Sequence, residues 1–256
     1  MSIGTKAKKA FGLVVRGDVK SFSSKFDTYF INKLNFFSVN STIKKSSVVK
    51  EKFLSKRDVG QMVDEVFLIK TIKPTQVRSE IIRLLDVVKE RNVRKILEVG
   101  TANGGTIFFF SQVAADDAIV ASVDVPNRFF GYGYPAWRAR IYGSFPKKSQ
   151  TFELVRGDSH SQETFQNAAK TMRGNDVDFL FIDGDHSYEG VKRDFEMYGQ
   201  LVRPGGVIAF HDIVDGNEEF VGGVPRFWKE IRDKYPHDEF VEDWKQGGLG
   251  IGVLYV

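Results

Sequence analysis

The chain contains no cysteine among its 256 residues. Disulfide bonds, thiolate nucleophiles and cysteine-based zinc sites are therefore excluded, and a reducing compartment is permitted. Apolar runs are also short, because none approaches the ~20 residues that a membrane-spanning helix needs. The apolar stretch at residues 10–15 follows three lysines but precedes no small-residue cleavage site, so it does not predict a signal peptide. We expect a cytoplasmic protein.

Acidic residues are scarce at the N-terminus. Residues 1–57 hold 13 Lys and Arg against 3 Asp and Glu, a net charge of +10, which leaves −6 for the remainder of a chain whose total is +4. The simplest interpretation is a solvated helical extension. The alternatives are a peripheral contact with an anionic membrane surface, or a contact with the acidic body of a second subunit in a homo-oligomer. No specific nucleic-acid partner is expected.

The composition is otherwise that of a globular protein, with 42% hydrophobic and 27% charged residues. The length suits one domain with a small appendage. We divide the chain into a basic extension at residues 1–60 and a domain at residues 61–256. Apolar residues recur at helical spacing between positions 22 and 37, which predicts one or two short helices in the extension.

Strand and helix patterns alternate through the larger domain. Residues 76–91 predict an amphipathic helix, and Pro74 stands just before it. Strands are predicted at 95–99, 118–124, 151–156, 177–183, 206–211, 238–243 and 249–256, with helices at 105–115, 162–172 and 188–201. This alternation predicts an α/β fold, doubly wound, with a mostly parallel seven-stranded sheet that has helices on both faces.

A glycine-rich turn follows the first predicted strand. Residues 96–105 read Ile-Leu-Glu-Val-Gly-Thr-Ala-Asn-Gly-Gly, and strand, glycine turn and helix together build nucleotide sites in such sheets. The dinucleotide pattern G-x-G-x-x-G is matched only loosely, because Ala102 replaces its middle glycine. The pattern E-x-G-x-x-x-G-G is complete. A turn that serves only chain reversal is a third interpretation.

Acidic residues stand at the ends of the first four strands: Glu98, Asp124, Asp158 and Asp183. Glu98 is expected to face the crevice and to pair with a cation or a hydroxyl. Asp124, at the end of the second strand, is placed to accept hydrogen bonds from ribose hydroxyls. A single acid at a strand end often caps a helix, but four on one edge favour a ligand site.

The densest group of polar side chains lies at 181–190, which reads Phe-Ile-Asp-Gly-Asp-His-Ser-Tyr-Glu-Gly. The next predicted strand ends in His211 and Asp212. If the two strands are neighbours, Asp183, His211 and Asp212 converge on one point. Two carboxylates and an imidazole suit a divalent cation with open positions for a substrate. The alternative is that His211 and Asp212 only cap the loop after their strand.

Residues 125–150 interrupt the alternation with aromatic residues, glycine and arginine. The segment follows the second strand, at the edge of the sheet where ligands bind. It is a candidate lid or substrate loop, with an ordinary surface loop as the alternative.

Three segments together carry a family resemblance. They are Leu97 to Thr106, Phe181 to Val191 and Leu201 to Asp212. With them, the last 180 or so residues resemble class I S-adenosylmethionine-dependent methyltransferases, in the branch with cephalosporin-hydroxylase-like proteins and metal-dependent sugar O-methyltransferases. The resemblance implies a Rossmann-like sheet whose last strand is antiparallel, S-adenosylmethionine as cofactor, and Mg²⁺ or another divalent cation.

The resemblance also implies roles for particular residues. Asp183, His211 and Asp212 map to metal ligands, although relatives more often carry an acid or amide where His211 stands. The base maps to Asp185 by analogy with sugar-modifying relatives, or to His186 by analogy with catechol-type relatives, and the sequence leaves both open. The cofactor is expected to contact Glu98, Gly100, Thr101, Asn103, Gly104, Gly105, Asp124, Asp158, Ser159 and Asp183.

These expectations combine into a function. The sequence predicts an O-methyltransferase, assisted by a divalent metal, that acts on a hydroxyl of a sugar or other polyhydroxylated small molecule. An NAD-dependent oxidoreductase is the alternative from another enzyme class. A non-catalytic S-adenosylmethionine-binding module is the alternative without chemistry.

Overall fold

The computed structural model describes residues 19–126 and 133–256, with side chains from residue 37 onward. Its helices are α1 (Val19–Lys56), α2 (Val59–Phe67), α3 (Arg78–Glu90), α4 (Gly105–Val113), α5 (Ala136–Tyr142), α6 (Gln162–Met172), α7 (Tyr188–Tyr198), α8 (Glu218–Val221) and α9 (Val224–Ile231). Its strands are β1 (Lys95–Val99), β2 (Ile119–Asp124), β3 (Thr151–Arg156), β4 (Val177–Ile182), β5 (Val202–His211), β6 (His237–Phe240) and β7 (Ile251–Tyr255).

The strands form one sheet in the order β3-β2-β1-β4-β5-β7-β6. Strands β1 to β5 pair in parallel, and β7 is antiparallel to both β5 and β6. The predicted doubly wound Rossmann-like sheet is confirmed. The strand order reverses between β1 and β4, and ligands bind at the carboxyl ends of strands where such a reversal opens a crevice.

Phenylalanine supplies much of the core on both faces of the sheet. Fully buried rings include those of Phe108, Phe110, Phe179 and Phe181. The ring of Phe110 packs edge-on against Phe179 and Phe181, with centroids 5.0 and 5.3 Å apart. This packing fixes α4, and with it the turn that precedes α4, against β4. None of the described helices is both long enough and apolar enough to cross a membrane.

Strand β5 begins earlier than the sequence predicts. A tight turn is expected at Arg203-Pro-Gly-Gly206, yet these residues belong to the strand. The register with β4 shifts between Val177 and Phe179, and Gly205 adopts a φ of +80°. The Gly205 amide donates to the carbonyl of Val256. A glycine bulge therefore replaces the turn, because pairing with the chain end satisfies its backbone groups.

The N-terminal extension differs most from expectation. Helix α1 is a single helix of 38 residues, not one or two short ones. Its second half contributes Val39, Val49 and Phe53 to the core, where each is at most 4% exposed. Helix α2 spans residue 60, and the division of the chain at residues 60 and 61 stays a prediction. Residues 1–18 lie outside the described ones, and the role of the basic arm stays a prediction.

Docking of α1 can be tested with two adjacent residues. Phe53 is 3% exposed and Leu54 is 39% exposed. Phe53→Ala is expected to lower the free energy of unfolding by about 3–5 kcal/mol, because it removes a buried ring and leaves a cavity. Leu54→Ala is expected to change it by no more than about 0.5 kcal/mol. Urea titrations followed by circular dichroism measure both, and equal losses would contradict the packing of α1 on the domain.

Candidate cofactor and metal site

The glycine turn between β1 and α4 lies directly on the end of β4. Gly100 has a φ of +100°, and a Cβ built on it would stand 2.0 Å from the carbonyl oxygen of Asp183. The Asp183 amide donates to the carbonyl of Val99 over 2.8 Å. Only glycine permits this approach. The first motif and the densest polar segment of the sequence thus meet at one place.

Helix α5 supports the same turn from the side. A Cβ on Gly104 would lie 2.3 Å from the ring of Tyr142, and the Tyr142 hydroxyl donates to the carbonyl of Ala102 over 2.8 Å. Arg138 donates to the carbonyl of Thr71 over 2.6 Å. The sequence indicated this segment only as part of a candidate lid or substrate loop at 125–150, of which residues 127–132 lie outside the described ones. It named no supporting residue in α5, because an aromatic and a basic residue in an irregular segment carry no local signal for a long-range contact.

Glu98 lies beneath the turn. Its side chain is fully buried and accepts hydrogen bonds from the hydroxyls of Thr106, over 2.6 Å, and Ser122, over 2.5 Å. Burial raises the pKa of Glu98 to about 8, although both hydrogen bonds oppose this shift. The carboxyl group offers no surface to the crevice in this arrangement. Glu98 therefore supports the turn from below. No atom of its side chain is exposed for the expected contact with the cofactor.

Asp124 is placed beside the turn as the sequence predicts. One carboxylate oxygen accepts the amides of Thr101, over 3.0 Å, and Ala102, over 2.8 Å. The other accepts the amide of Val125 over 2.7 Å. Burial raises the pKa of Asp124, and these amides oppose the shift. The oxygen that bonds to Val125 keeps a free lone pair, so the partly exposed side chain can still accept a hydroxyl donor.

The remaining predicted cofactor residues lie around this edge. The Thr101 side chain is 2% exposed and shares a hydrogen bond with Ser122. Asn103 is partly exposed, and its amide donates to the carbonyl of Lys73 over 3.1 Å. Asp158 is exposed in the loop after β3. Ser159 follows it, and its carbonyl accepts the Tyr198 hydroxyl over 2.8 Å.

Four side chains converge at the ends of β4 and β5. One ligand atom from each of Asp183, His186 and Asp212 lies within 4.8 Å of the others. His211 joins them, because its Nδ1 is 3.1 Å from Asp183 Oδ1 and 3.4 Å from Asp212 Oδ2. Two of the three predicted metal ligands, Asp183 and Asp212, belong to the group that could hold a metal ion, with His186 as its third member; the predicted His211 lies beside both carboxylates. Asp185 does not join them: it is exposed and accepts the amide of Ser187 over 2.9 Å.

His186 is the member of this group with the most accessible side chain. It is 27% exposed, against 20% for Asp183, 8% for Asp212 and 3% for His211. Its Nδ1 lies within hydrogen-bond distance of the carbonyl oxygen of Phe220. A carbonyl oxygen only accepts, so Nδ1 carries a proton and Nε2 is the atom that gains or loses one. Nε2 is 3.5 Å from Asp183 Oδ1.

Charge is balanced within the group. Burial opposes the charged forms of Asp183, His186 and His211, but the opposite charges outweigh it. The pKa of Asp183 is held below its usual range by His211 and His186. The pKa of His186 rises to about 9 beside Asp183 and Asp212, and that of His211 is raised well above its usual value by the same carboxylates. Both imidazoles thus favour their protonated forms in this group.

The donor set fits a divalent cation. Carboxylate oxygens with one imidazole are suitable ligands for Mg²⁺ or Mn²⁺, and the partly exposed side of the group leaves positions open for a substrate oxygen. A cation would take the place of the positive charge that the imidazolium groups now supply. Its binding therefore releases protons, since imidazole ligates only in the neutral form.

Comparison with known proteins agrees with this architecture. Residues 97–213 match a family model described as a methyltransferase domain. The uncharacterized protein y4gI of Sinorhizobium fredii (strain NBRC 101917 / NGR234) is 30% identical over 159 residues, which make up 62% of this chain and 17% of that protein. The chain spans less than a fifth of the length of the curated relatives it matches.

Two solved structures share the fold. An O-methyltransferase from Bacillus cereus in complex with SAH has a TM-score of 0.53 at 19% identity, and the match covers 84% of this chain and 100% of that one. TomG, an O-methyltransferase from Streptomyces achromogenes in complex with SAM, has a TM-score of 0.53 at 16% identity, over 78% of this chain and 89% of that one. Residues 97–213 thus match a methyltransferase domain family, and the chain shares the fold of these O-methyltransferases.

Proposed function

We propose that the protein transfers the methyl group of S-adenosylmethionine to a hydroxyl of a small molecule, with the assistance of a divalent cation. The observation that carries this proposal is the convergence of Asp183, His186, His211 and Asp212 beside the glycine turn. Asp183 belongs to both places, because its backbone touches Gly100 and its carboxylate faces both histidines. Cofactor and cation would thus share one crevice.

The cofactor would lie along the edge formed by the turn, Asp124 and the loop after β3. Asp124 would accept a ribose hydroxyl through the lone pair that remains free on Oδ1. Asp158 and Ser159 would face the adenine. Glu98, Tyr142 and the glycines would hold the backbone of the turn in a conformation that admits the cofactor, with Thr101, Asn103, Gly104 and Gly105 lining it.

We assign two roles, cation binding and proton acceptance, to the residues of the cluster according to the exposure of their side chains. We assign the cation to Asp183, Asp212 and the buried His211, and the proton to Nε2 of the more exposed His186. A divalent cation lowers the pKa of a coordinated hydroxyl and fixes its position. With the cation bound and its own Nε2 proton released, His186 would take the proton of that hydroxyl as the oxygen attacks the methyl carbon and S-adenosylhomocysteine leaves. Asp185, which accepts the amide of Ser187 just before α7, is the alternative base.

The acceptor is proposed to be a sugar or another polyhydroxylated compound. A cation site with open positions favours a substrate that offers oxygen atoms, and the resemblance to sugar O-methyltransferases supports the same class. Three further expectations stay predictions: a cytoplasmic location, a homo-oligomer, and a contact of the basic arm with an anionic membrane surface. Most side chains of the arm lie outside the described ones.

The activity is tested with a panel of hydroxylated acceptors and labelled S-adenosylmethionine. Turnover is expected to stop in EDTA and to return when Mg²⁺ or Mn²⁺ is added in excess, because the chelator removes the charge that activates the hydroxyl. Full turnover in EDTA would contradict the metal assignment but not the transfer itself. Thermal stabilisation by NAD, without any by S-adenosylhomocysteine, would instead favour the oxidoreductase.

Cofactor affinity should depend on Asp124. Asp124→Ala removes the proposed ribose acceptors and leaves the amides of Thr101 and Ala102 without a partner. We expect it to weaken binding of S-adenosylhomocysteine by about 1–3 kcal/mol. Asp124→Asn, which keeps one acceptor oxygen, should lose less. Calorimetry on folded variants measures both, and an unchanged affinity in Asp124→Ala would overturn the ribose assignment.

A further inference from the structure

The loop between β6 and β7 has an unusual backbone. It runs over residues 241–250, and four successive residues adopt a positive φ: 78° at Gly247, 137° at Gly248, 61° at Leu249 and 81° at Gly250. Leu249 carries a side chain, so its left-handed conformation is disfavoured. Such a conformation persists only where surrounding contacts hold it. We therefore ask which side chains hold the loop in this conformation and which site they connect it to.

One buried carboxylate holds both ends of the loop. Glu80, on α3, is 1% exposed. Its Oε1 accepts the amide of Glu242, over 3.0 Å, and the side-chain amide of Gln246, over 2.8 Å. Its Oε2 accepts the amide of Gly250 over 3.0 Å. A buried carboxylate is costly without donors, and here three donors from one loop satisfy it.

The other side of the loop touches Asp212. The amide of Leu249 donates to Asp212 Oδ1 over 3.0 Å, and the amides of Ile213 and Val214 return bonds to the carbonyls of Gly250 and Leu249. Asp212 itself has a φ of +62°. One carboxylate oxygen is thus fixed by the loop, while Oδ2 faces His186 and His211 at 3.5 and 3.4 Å.

The amides of Leu249 and Gly250 are consecutive donors that point to different carboxylates. The Gly250 amide donates to Glu80, and the Leu249 amide donates to Asp212. A shift of the loop away from Glu80 would move the donor that orients Asp212. The carboxylate would then be free to rotate, and groups that orient a ligand in this way strongly affect metal affinity.

We propose that Glu80 is a positioning residue for the cation site, acting on Asp212 through the amides of Gly250 and Leu249. This inference rests on the proposed function, because it assumes that Asp212 binds a cation. It assigns a role in the site to a helix that precedes the first methyltransferase motif. It also explains why the loop keeps a leucine in a left-handed conformation beside that ligand.

The test measures binding of Mn²⁺ by the decrease of its free-ion electron paramagnetic resonance signal. Glu80→Gln keeps the shape of the side chain and removes its charge and one acceptor. We expect it to bind Mn²⁺ about 10- to 100-fold more weakly than the unmodified protein. Affinity for S-adenosylhomocysteine should not change, and excess Mn²⁺ should restore turnover, which a general loss of structure would not allow.

Ser79→Ala is the matched control. Ser79 precedes Glu80 on α3 and bonds to the Glu242 side chain of the same loop, but it reaches neither Gly250 nor Leu249. Its Mn²⁺ affinity should equal that of the unmodified protein. Gln246→Ala removes one donor to Glu80 from a partly exposed position, so it tests the same contact if Glu80→Gln does not fold. It should weaken Mn²⁺ binding in the same direction by a smaller factor.

The outcomes separate this inference from the function on which it rests. A folded Glu80→Gln or Gln246→Ala protein with unchanged Mn²⁺ affinity overturns the role of Glu80 and leaves the cation site intact. An unmodified protein that binds no Mn²⁺ overturns the cation site, and this inference with it. If neither variant folds, Glu80 is a stability residue and the positioning role is overturned.

Discussion

His186→Gln is expected to lower kcat by about 10²- to 10⁴-fold, the range that a lost general base produces. The reason is the geometry of the ring: Nδ1 is committed to the carbonyl of Phe220, and Nε2 lies 3.5 Å from Asp183 on the most accessible side chain of the cluster. Glutamine can keep the hydrogen bond to Phe220 but cannot accept the proton. Affinity for Mn²⁺ should change little, because Asp183, Asp212 and His211 remain.

His211→Gln is the informative partner of this variant. His211 is 3% exposed and contacts both carboxylates, so it is assigned to the cation. The variant should weaken Mn²⁺ binding, and excess Mn²⁺ should recover part of its turnover. Glu189→Gln changes an exposed residue three positions after His186. It serves as a control that should alter neither Mn²⁺ affinity nor turnover. The reverse pattern, with Mn²⁺ affinity lost in His186→Gln, would make His186 the ligand and Asp185 the base.

Stability is expected to depend on pH through Glu98. Its pKa is about 8 in the folded protein, against an ordinary value of 4.5. Below pH 4.5 the group is protonated in both states and contributes no pH dependence. Between pH 4.5 and 8 the unfolded chain loses the proton that the folded protein keeps. The free energy of unfolding therefore falls as pH rises, by roughly 1.4 kcal/mol per pH unit, and levels off above pH 8.

Glu98→Gln isolates this contribution, because glutamine stays neutral at every pH and can bond to the hydroxyls of Thr106 and Ser122. We expect the variant to match the unmodified protein near pH 4.5 and to be more stable by several kcal/mol at pH 8. Urea titrations across this range measure the difference, with the exposed Glu153→Gln as control. A difference that does not change with pH would show that Glu98 is charged in the folded protein.

Local patterns predicted the positions of the elements well. Strands β1 and β3 begin and end where alternation and apolar runs place them, and helix α6 matches its predicted range. These elements are specified by neighbours along the chain: an apolar run for β1, alternation for the edge strand β3, and one apolar face for the helix. The bulge at Gly205 was not predicted, because its amide is satisfied by Val256, which lies 51 positions further along the chain.

The candidate site, too, could be predicted only in part from the sequence. Asp183, His211 and Asp212 could be placed together from the sequence because parallel neighbouring strands bring their carboxyl ends to one edge. Which histidine is buried could not be predicted, since exposure depends on α8 and the β6–β7 loop. Glu98 was expected in the crevice, but hydroxyls from α4 and β2 hold it below the turn.

The sequence by itself determined the fold, the glycine turn and the edge of the sheet at which polar residues gather, because each depends on spacing within a short segment. Only the tertiary structure decided how those residues are held. Tyr142 beneath Gly104, the core contacts of α1, and the path from Glu80 to Asp212 join segments from 38 to 170 residues apart. Such contacts depend on side-chain geometry across the whole fold, and no local pattern records it.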